Sequence, residues 1–261
     1  MEEQLKKESP VAVFDSGVGG VSVLRELIKI MPQEDYIYFG DSVNAPYGTK
    51  EKSEVKKLTI QCAGYLFGQG AKGLVVACNT ATSAAVRALR ENNPHIPIVG
   101  IEPAVKPAAL CMEHPRVLVL ATPMTIREDK LNRLIARYAD QAEIIPLPCP
   151  GLMNFIEKGN LEGEDLHHFL EDLLYSYSGN KVDAAVLGCT HYPFVREEIQ
   201  HVLGENVRIF DGGEGTAREM QRRLKESHLL RTEERKGKII FENSLPDEKK
   251  IELCQRLLSA L

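Results

Sequence analysis

The chain has 261 residues, 43% of them hydrophobic and 26% charged, and Lys+Arg 32 against Asp+Glu 37 leave a formal net charge of -5. That is the composition of a globular protein with room for one or two cores, and the acidic balance without a basic cluster excludes an electrostatic footprint for nucleic acid or anionic lipid. The charged stretch from Met1 to Pro10 is no signal peptide, and no segment approaches the roughly 18 apolar residues of a membrane helix, so a cytoplasmic protein is expected.

In chain order, short β-branched runs predict strands at 11–14, 36–39, 74–77, 98–101, 117–120, 143–145, 184–187, 207–210 and 238–241. Helical stripes lie between them. Leu24, Leu27, Ile28 and Met31 recur at i, i+3, i+4 and i+7, and Leu131, Leu134, Ile135 and Tyr138 repeat that spacing behind a predicted capping box at Thr125 and Glu128. Leu166, Phe169, Leu170, Leu173, Leu174 and Tyr177 form the longest stripe. Strands alternating with helices predict an α/β fold with mainly parallel sheets.

Two halves echo each other. Val11–Phe14 followed by Asp15-Ser16 resembles Val117–Leu120 followed by Ala121-Thr122, and Leu74–Ala77 followed by Cys78-Asn79-Thr80 resembles Ala185–Gly188 followed by Cys189-Thr190-His191. Similar intervals separate Asp15 from Cys78 and Thr122 from Cys189. The expected architecture is two pseudo-symmetric α/β domains, the first from 1–97 plus 207–261 and the second from 98–206.

The six cysteines, at 62, 78, 111, 149, 189 and 254, contain no C-x-x-C pair for zinc or dithiol chemistry, and in a reducing compartment they are free thiols. Cys62 and Cys254 fall on apolar helical stripes and read as core, Cys111 lies beside another such stripe, and Cys149 sits between two prolines in a loop. Cys78 and Cys189 differ. Each ends a buried strand and precedes hydroxyl or amide residues that open a helix, where backbone N–H groups point at a sulfur or a bound anion. The turn Asp15-Ser16-Gly17-Val18-Gly19-Gly20 lacks the third glycine of a dinucleotide loop, because Ser22 holds that position, and reads as an amide-rich cradle for a smaller anion. An aspartate beside an anion site makes sense if it meets an ammonium or a proton-transfer group. Asp41-Ser42 through Pro46-Tyr47-Gly48 is a second turn rich in hydrogen-bonding groups, equally readable as a plain surface loop.

Taken together, Phe14–Gly20, Asp41-Ser42 with Pro46-Tyr47-Gly48, Ala77-Cys78-Asn79-Thr80-Ala81 and Gly188-Cys189-Thr190-His191-Tyr192-Pro193 closely resemble the glutamate racemase branch of the aspartate/glutamate racemase superfamily. The resemblance implies a cofactor-independent, metal-free isomerase that interconverts L- and D-glutamate in a cleft between its two domains, supplies D-glutamate for peptidoglycan, and acts as a homodimer. Carried onto this chain, it implies catalytic Cys78 and Cys189, with Asp15 near the first thiol and His191 and Glu157 near the second. Asp15, Ser16, Pro46, Tyr47, Gly48, Asn79, Thr80, Thr122, Thr190 and His191 are the implied substrate-binding residues. One departure from the family pattern is the segment from Cys149 to Phe155, which bears on Glu157.

The chemistry needs these residue types. Moving a proton from one face of a carbon to the other takes two monoprotic groups on opposite sides, one entering as thiolate and the other as thiol. The α-proton is far less acidic than a thiol, so hydroxyl and N–H donors in a dry site must stabilise the developing dianion. The rival readings are a relative acting on aspartate, hydantoins or maleate, and a two-domain module that binds a small anion with structural cysteines.

Overall fold

Every apolar run of the sequence becomes a strand in the computed structural model, which describes residues 5–260. The first unit begins with β1 (Val11–Asp15), α1 (Val21–Ile30), β2 (Tyr36–Gly40), α2 (Lys52–Gly68), β3 (Gly73–Val76), α3 (Asn79–Asn92) and β4 (Ile98–Gly100). The second follows with α4 (Val105–Ala109), β5 (Arg116–Ala121), α5 (Pro123–Arg127), α6 (Asp129–Arg137), β6 (Glu143–Pro148), α7 (Leu152–Glu157), α8 (Glu164–Leu174), β7 (Ala184–Leu187), α9 (Arg196–Leu203) and β8 (Arg208–Asp211). The chain then returns to the first unit with α10 (Gly213–Glu226), β9 (Ile239–Asn243) and α11 (Glu248–Ala260).

The first sheet has the order β4-β3-β1-β2-β9 and the second β6-β5-β7-β8, every pair parallel. Read in reverse, the second order is β8-β7-β5-β6, so its four strands match the first four of the other sheet one for one. β9 is the addition. Helices cover a parallel sheet on both faces, which is why β1, β3, β5 and β7 read as unbroken apolar runs and are almost wholly buried. In the first unit α1 packs against α10 and α11, and α2 against α3. In the second, Val105, Val117, Val119, Leu131, Ala184 and Val186 form one cluster.

Four sequence expectations are corrected. The 98–101 run pairs with β3 in the first sheet, and the 207–210 run is a second-sheet strand beside β7, so the units are 1–101 with 213–261 and 102–212. Each repeat thus keeps its fourth strand, since an α/β layer buries its last helix by closing with a further strand. The Thr125 and Glu128 capping box does not form. Thr122, extended as it leaves β5 and followed by Pro123, caps α5 by accepting from the Thr125 N–H at 3.2 Å, and Glu128 makes no side-chain cap to α6. β6 runs on through Pro146 and Pro148, which an edge strand tolerates because its outer N–H groups need no ladder partner. Finally, α8 ends at Leu174, leaving Tyr177 in the turn that follows.

The sheet positions the candidate thiols. From β1 the chain goes to β2 on one side and later to β3 on the other, so the boundary between β1 and β3 is the switch point where a crevice opens at the strands' carboxyl ends. Cys78 leaves β3 there, next to Asp15 and Ser16 leaving β1. The boundary between β5 and β7 repeats the arrangement with Thr122 and Cys189.

Candidate active site

At the first half-site Asp15 is fully buried, and its Oδ2 accepts from the Gly17 N–H at 3.0 Å, which tightens the turn out of β1. Gly20 has to be glycine, because a Cβ there would lie 2.6 Å from Asp15 Cβ and 3.0 Å from Ala77 Cβ. Cys78 takes the N-cap position of α3 with an extended backbone, and its sulfur accepts from the Ala81 N–H at 3.5 Å. Ser16 Oγ lies 3.5 Å from the same sulfur. The first turn of α3 therefore directs partial positive charge at Cys78 Sγ, with the Ser16 hydroxyl in hydrogen-bond reach of it.

Asn79 and Thr80 are buried in that same turn, and Asn79 Oδ1 has no hydrogen-bond partner among the described residues. A buried amide oxygen left unpaired costs about 1–3 kcal/mol, which a polar ligand would recover. Opposite the end of β2, Ala45-Pro46 is a cis peptide, Pro46 is exposed, and Tyr47 and Gly48 are buried. The Tyr47 hydroxyl donates to Asp41 Oδ2 at 2.6 Å, and its ring tilts at 53° on Phe14 with centroids 6.3 Å apart. Burial, and then the hydrogen bond to Asp41, raise the phenol's pKa, so Tyr47 stays protonated.

At the second half-site Cys189, Thr190 and His191 are all buried between β7 and a short 3-10 turn at Tyr192–Val195. His191 Nδ1 stands 3.6 Å from Cys189 Sγ, and Nε2 stands 2.8 Å from Glu157 Oε1 at the end of α7. Burial works against a charge on His191, but the hydrogen bonds to Cys189 and Glu157 outweigh it and hold the imidazole well above its ordinary pKa. Glu157, just after the segment that departs from the family pattern, thus reaches Cys189 through His191. Gly188 is needed for close approach: a Cβ there would meet Leu120 O at 2.8 Å and Ala121 Cβ at 3.1 Å. Thr122 Oγ1 lies 3.0 Å from Thr125 Oγ1.

Four residues outside the expected set, Asp41, Cys62, Cys149 and Tyr192, lie around the two thiols' half-sites. Cys62, read from its stripe as core, is only half-buried and lies near Asp41 and Tyr47; burial and then the Asp41 charge push its pKa up to about 12. Cys149 is buried beside the second thiol, its pKa pushed up to about 12 by burial and then by charge at Cys189. Tyr192, fully buried, donates its hydroxyl to Cys149 O at 3.3 Å. Cys62 and Cys149 are therefore held as neutral thiols. The Asp41 and Tyr192 roles were foreshadowed only by their places in the quoted motifs. Among the described residues no group of three or more His, Cys, Asp or Glu is placed to hold a metal ion, and no helix is long and apolar enough to cross a membrane.

Two parallel sheets of matching strand order, each ending its second central strand in a buried cysteine beside hydrogen-bonding donors, define an enzyme of the racemase class. The chain belongs to the Asp/Glu/Hydantoin racemase family, whose model matches residues 12–220. It is 48% identical over 258 residues to the glutamate racemase of Clostridium perfringens, covering 99% of both chains. A glutamate racemase isoform from Bacillus anthracis superposes with a TM-score of 0.87 at 30% identity, over 97% of this chain and 95% of that one. The Francisella tularensis glutamate racemase, solved in complex with D-glutamate, superposes with a TM-score of 0.83 at 29% identity, over 97% and 94%.

Proposed function

We propose that this chain interconverts L- and D-glutamate without a cofactor, with Cys78 and Cys189 as the two bases on opposite faces of the α-carbon. The observation that carries the reading is the repeated one: a buried thiol leaves β3 in one unit and β7 in the other, each with its own set of donors. Glutamate is favoured over aspartate or hydantoins by the full-length similarity to the Clostridium perfringens enzyme and by the fold shared with a racemase that holds D-glutamate.

In the direction from L-glutamate, Cys189 acts as thiolate. The Cα–H bond breaks, an S–H bond forms on Cys189, and the carbanion takes the proton of the Cys78 thiol from the other face. The reverse direction begins with a Cys78 thiolate and a Cys189 thiol, so each turnover leaves the enzyme in the opposite protonation state. Asp15 is suited to the substrate's ammonium, which also acidifies the α-carbon. Ser16, Tyr47, Gly48, Asn79, Thr80, Thr122 and Thr190 supply donors and acceptors for the two carboxylates, and stabilisation of the dianionic intermediate by pre-aimed dipoles replaces a cofactor's electron sink. The phenol of Tyr47 is committed to Asp41, so the 46–48 turn serves the substrate through its main chain. In the cell the reaction supplies D-glutamate for peptidoglycan in the cytoplasm, and the enzyme works as a homodimer.

The test is polarimetric or circular-dichroism measurement on L-glutamate with no cofactor added, run in D2O. Optical activity decays to zero, and early in the reaction deuterium enters the α-position of the product enantiomer while recovered substrate stays protonated. Equal deuteration of substrate and product would rule out two bases. No optical change at all would favour the anion-binding module.

A further inference from the structure

The reaction scheme leaves one buried carboxylate at the first half-site unused. Asp41, directly after β2, is 1% exposed. Its Oδ2 accepts from the Tyr47 hydroxyl at 2.6 Å, and Asn44 Nδ2 donates to both of its oxygens at 3.0 Å. The Cys62 thiol of α2 lies close enough to feel its charge. Its own N–H donates to Asp15 O at 2.9 Å, which ties it to the end of β1. Its side chain thus joins both ends of the turn from Asn44 to Tyr47, and its main chain ties that turn to the strand that delivers Asp15.

A carboxylate stripped of water is tolerated when its lone pairs are filled by donors, and here the donors come from both ends of the 44–47 turn. Their geometry is therefore fixed jointly. The raised pKa of the Tyr47 phenol agrees with a proton that stays on oxygen and points at Asp41. The ring of Tyr47 leans on Phe14 of β1, so the hydrogen bond and the stacking contact hold the residue from two directions.

We propose that Asp41 is a positioning residue for the reaction: by holding the Tyr47 hydroxyl and the Asn44 amide it sets the placement of the 46–48 turn against the substrate, without touching the reacting atoms itself. The proposal rests on the reading that Tyr47 and Gly48 contact the substrate. It distinguishes Asp41 from a third acid or base, since a proton-transfer group would act on kcat, and from a fold-stabilising charge, since that would leave kinetics below the melting transition unchanged.

The experiment compares the full-length enzyme with Asp41→Asn, Tyr47→Phe and the double variant, assaying L- and D-glutamate separately alongside thermal unfolding. Losing a hydrogen bond to a charged partner raises KM by about tenfold or more in both directions, with kcat held within about twofold. The double variant is no worse than the more impaired single one, because both substitutions remove the same contact. Tyr47→Phe deletes one oxygen and keeps the ring, so it carries the test if Asp41→Asn does not fold. A fall in kcat at constant KM, multiplicative losses in the double variant, or kinetics unchanged while the melting temperature drops would each overturn the proposal. If the wild-type enzyme itself fails to racemise glutamate, the functional reading and this inference fall together; if it is active and only the variants disagree, the inference falls alone.

Discussion

Glu157 Oε1 lies 2.8 Å from His191 Nε2, while the other ring nitrogen of His191 lies 3.6 Å from the sulfur of Cys189. With the carboxylate at Nε2, that nitrogen carries the hydrogen, and Nδ1 is left to accept from the Cys189 thiol or, in the imidazolium, to donate to its thiolate. At the first half-site Cys78 meets a hydroxyl and a helix N-terminus. The two halves share strand order but not the chemistry around their thiols.

That asymmetry predicts a direction-dependent defect. L- and D-glutamate have equal free energy, so kcat/KM must be the same in both directions for any variant, and only kcat and KM taken separately can differ. His191→Asn lowers kcat from L-glutamate by about tenfold or more and kcat from D-glutamate by far less, with KM moving in parallel. Glu157→Gln acts in the same sense and more weakly. Equal losses of kcat in both directions would contradict the relay.

The charge on His191 also predicts a pH-dependent stability. Its folded-state pKa lies above the unfolded value of 6.5, so the ion pairing contributes fully below about pH 6.5 and is lost as pH rises through the folded-state pKa. The melting-temperature gap between the wild type and His191→Asn is therefore largest near pH 6 and shrinks at alkaline pH. A gap that widens with pH in a calorimetric series would show that the imidazole is held neutral.

The proposed two-base scheme separates the thiols into two classes. Under the two-base proposal, Cys78→Ala and Cys189→Ala each reduce racemisation by about a thousandfold or more, because each removes the base on one face. Cys254→Ala keeps kcat and KM and loses about 1 kcal/mol of stability, as a buried thiol on α11 should. Denaturant titration and initial rates on the same preparations read both effects.

The end of the first sheet away from Cys78 is held by charge. Lys72, immediately before β3, and Glu34, just before β2, are both wholly buried; Nζ donates to Glu34 Oε2 at 2.6 Å, and the Arg231 N–H donates to Oε1 at 2.8 Å. Burial lowers the Lys72 pKa, which the contact with Glu34 partly offsets. Lys72→Met strands the Glu34 carboxylate and costs about 3–5 kcal/mol, seen as a lower unfolding midpoint. Turnover below that midpoint is unchanged. A loss of kcat with unaltered stability would mean that the two ends of the sheet are coupled.

The sequence by itself determined the strands, the echo and the two thiols at matching strand ends, because these depend on local properties. A buried parallel strand must be apolar throughout, and a strand end opening into a helix marks itself by its hydroxyl and amide residues. The motif around Cys189 likewise names His191, two residues along. What only the tertiary structure decided is pairing at a distance. Whether the fourth run of each half belonged to its own sheet depended on register with β3 and β7, which no local pattern encodes. Cys62 looked like one more apolar position on a stripe and proved to face Asp41 and Tyr47, since helical period shows which residues share a face but not what that face meets. Asp41 followed the same logic. An acidic residue in a turn is ordinarily solvated, and the burial of Asp41 between the Asn44 and Tyr47 donors arises where the turn meets the end of β1, an element distant in the chain.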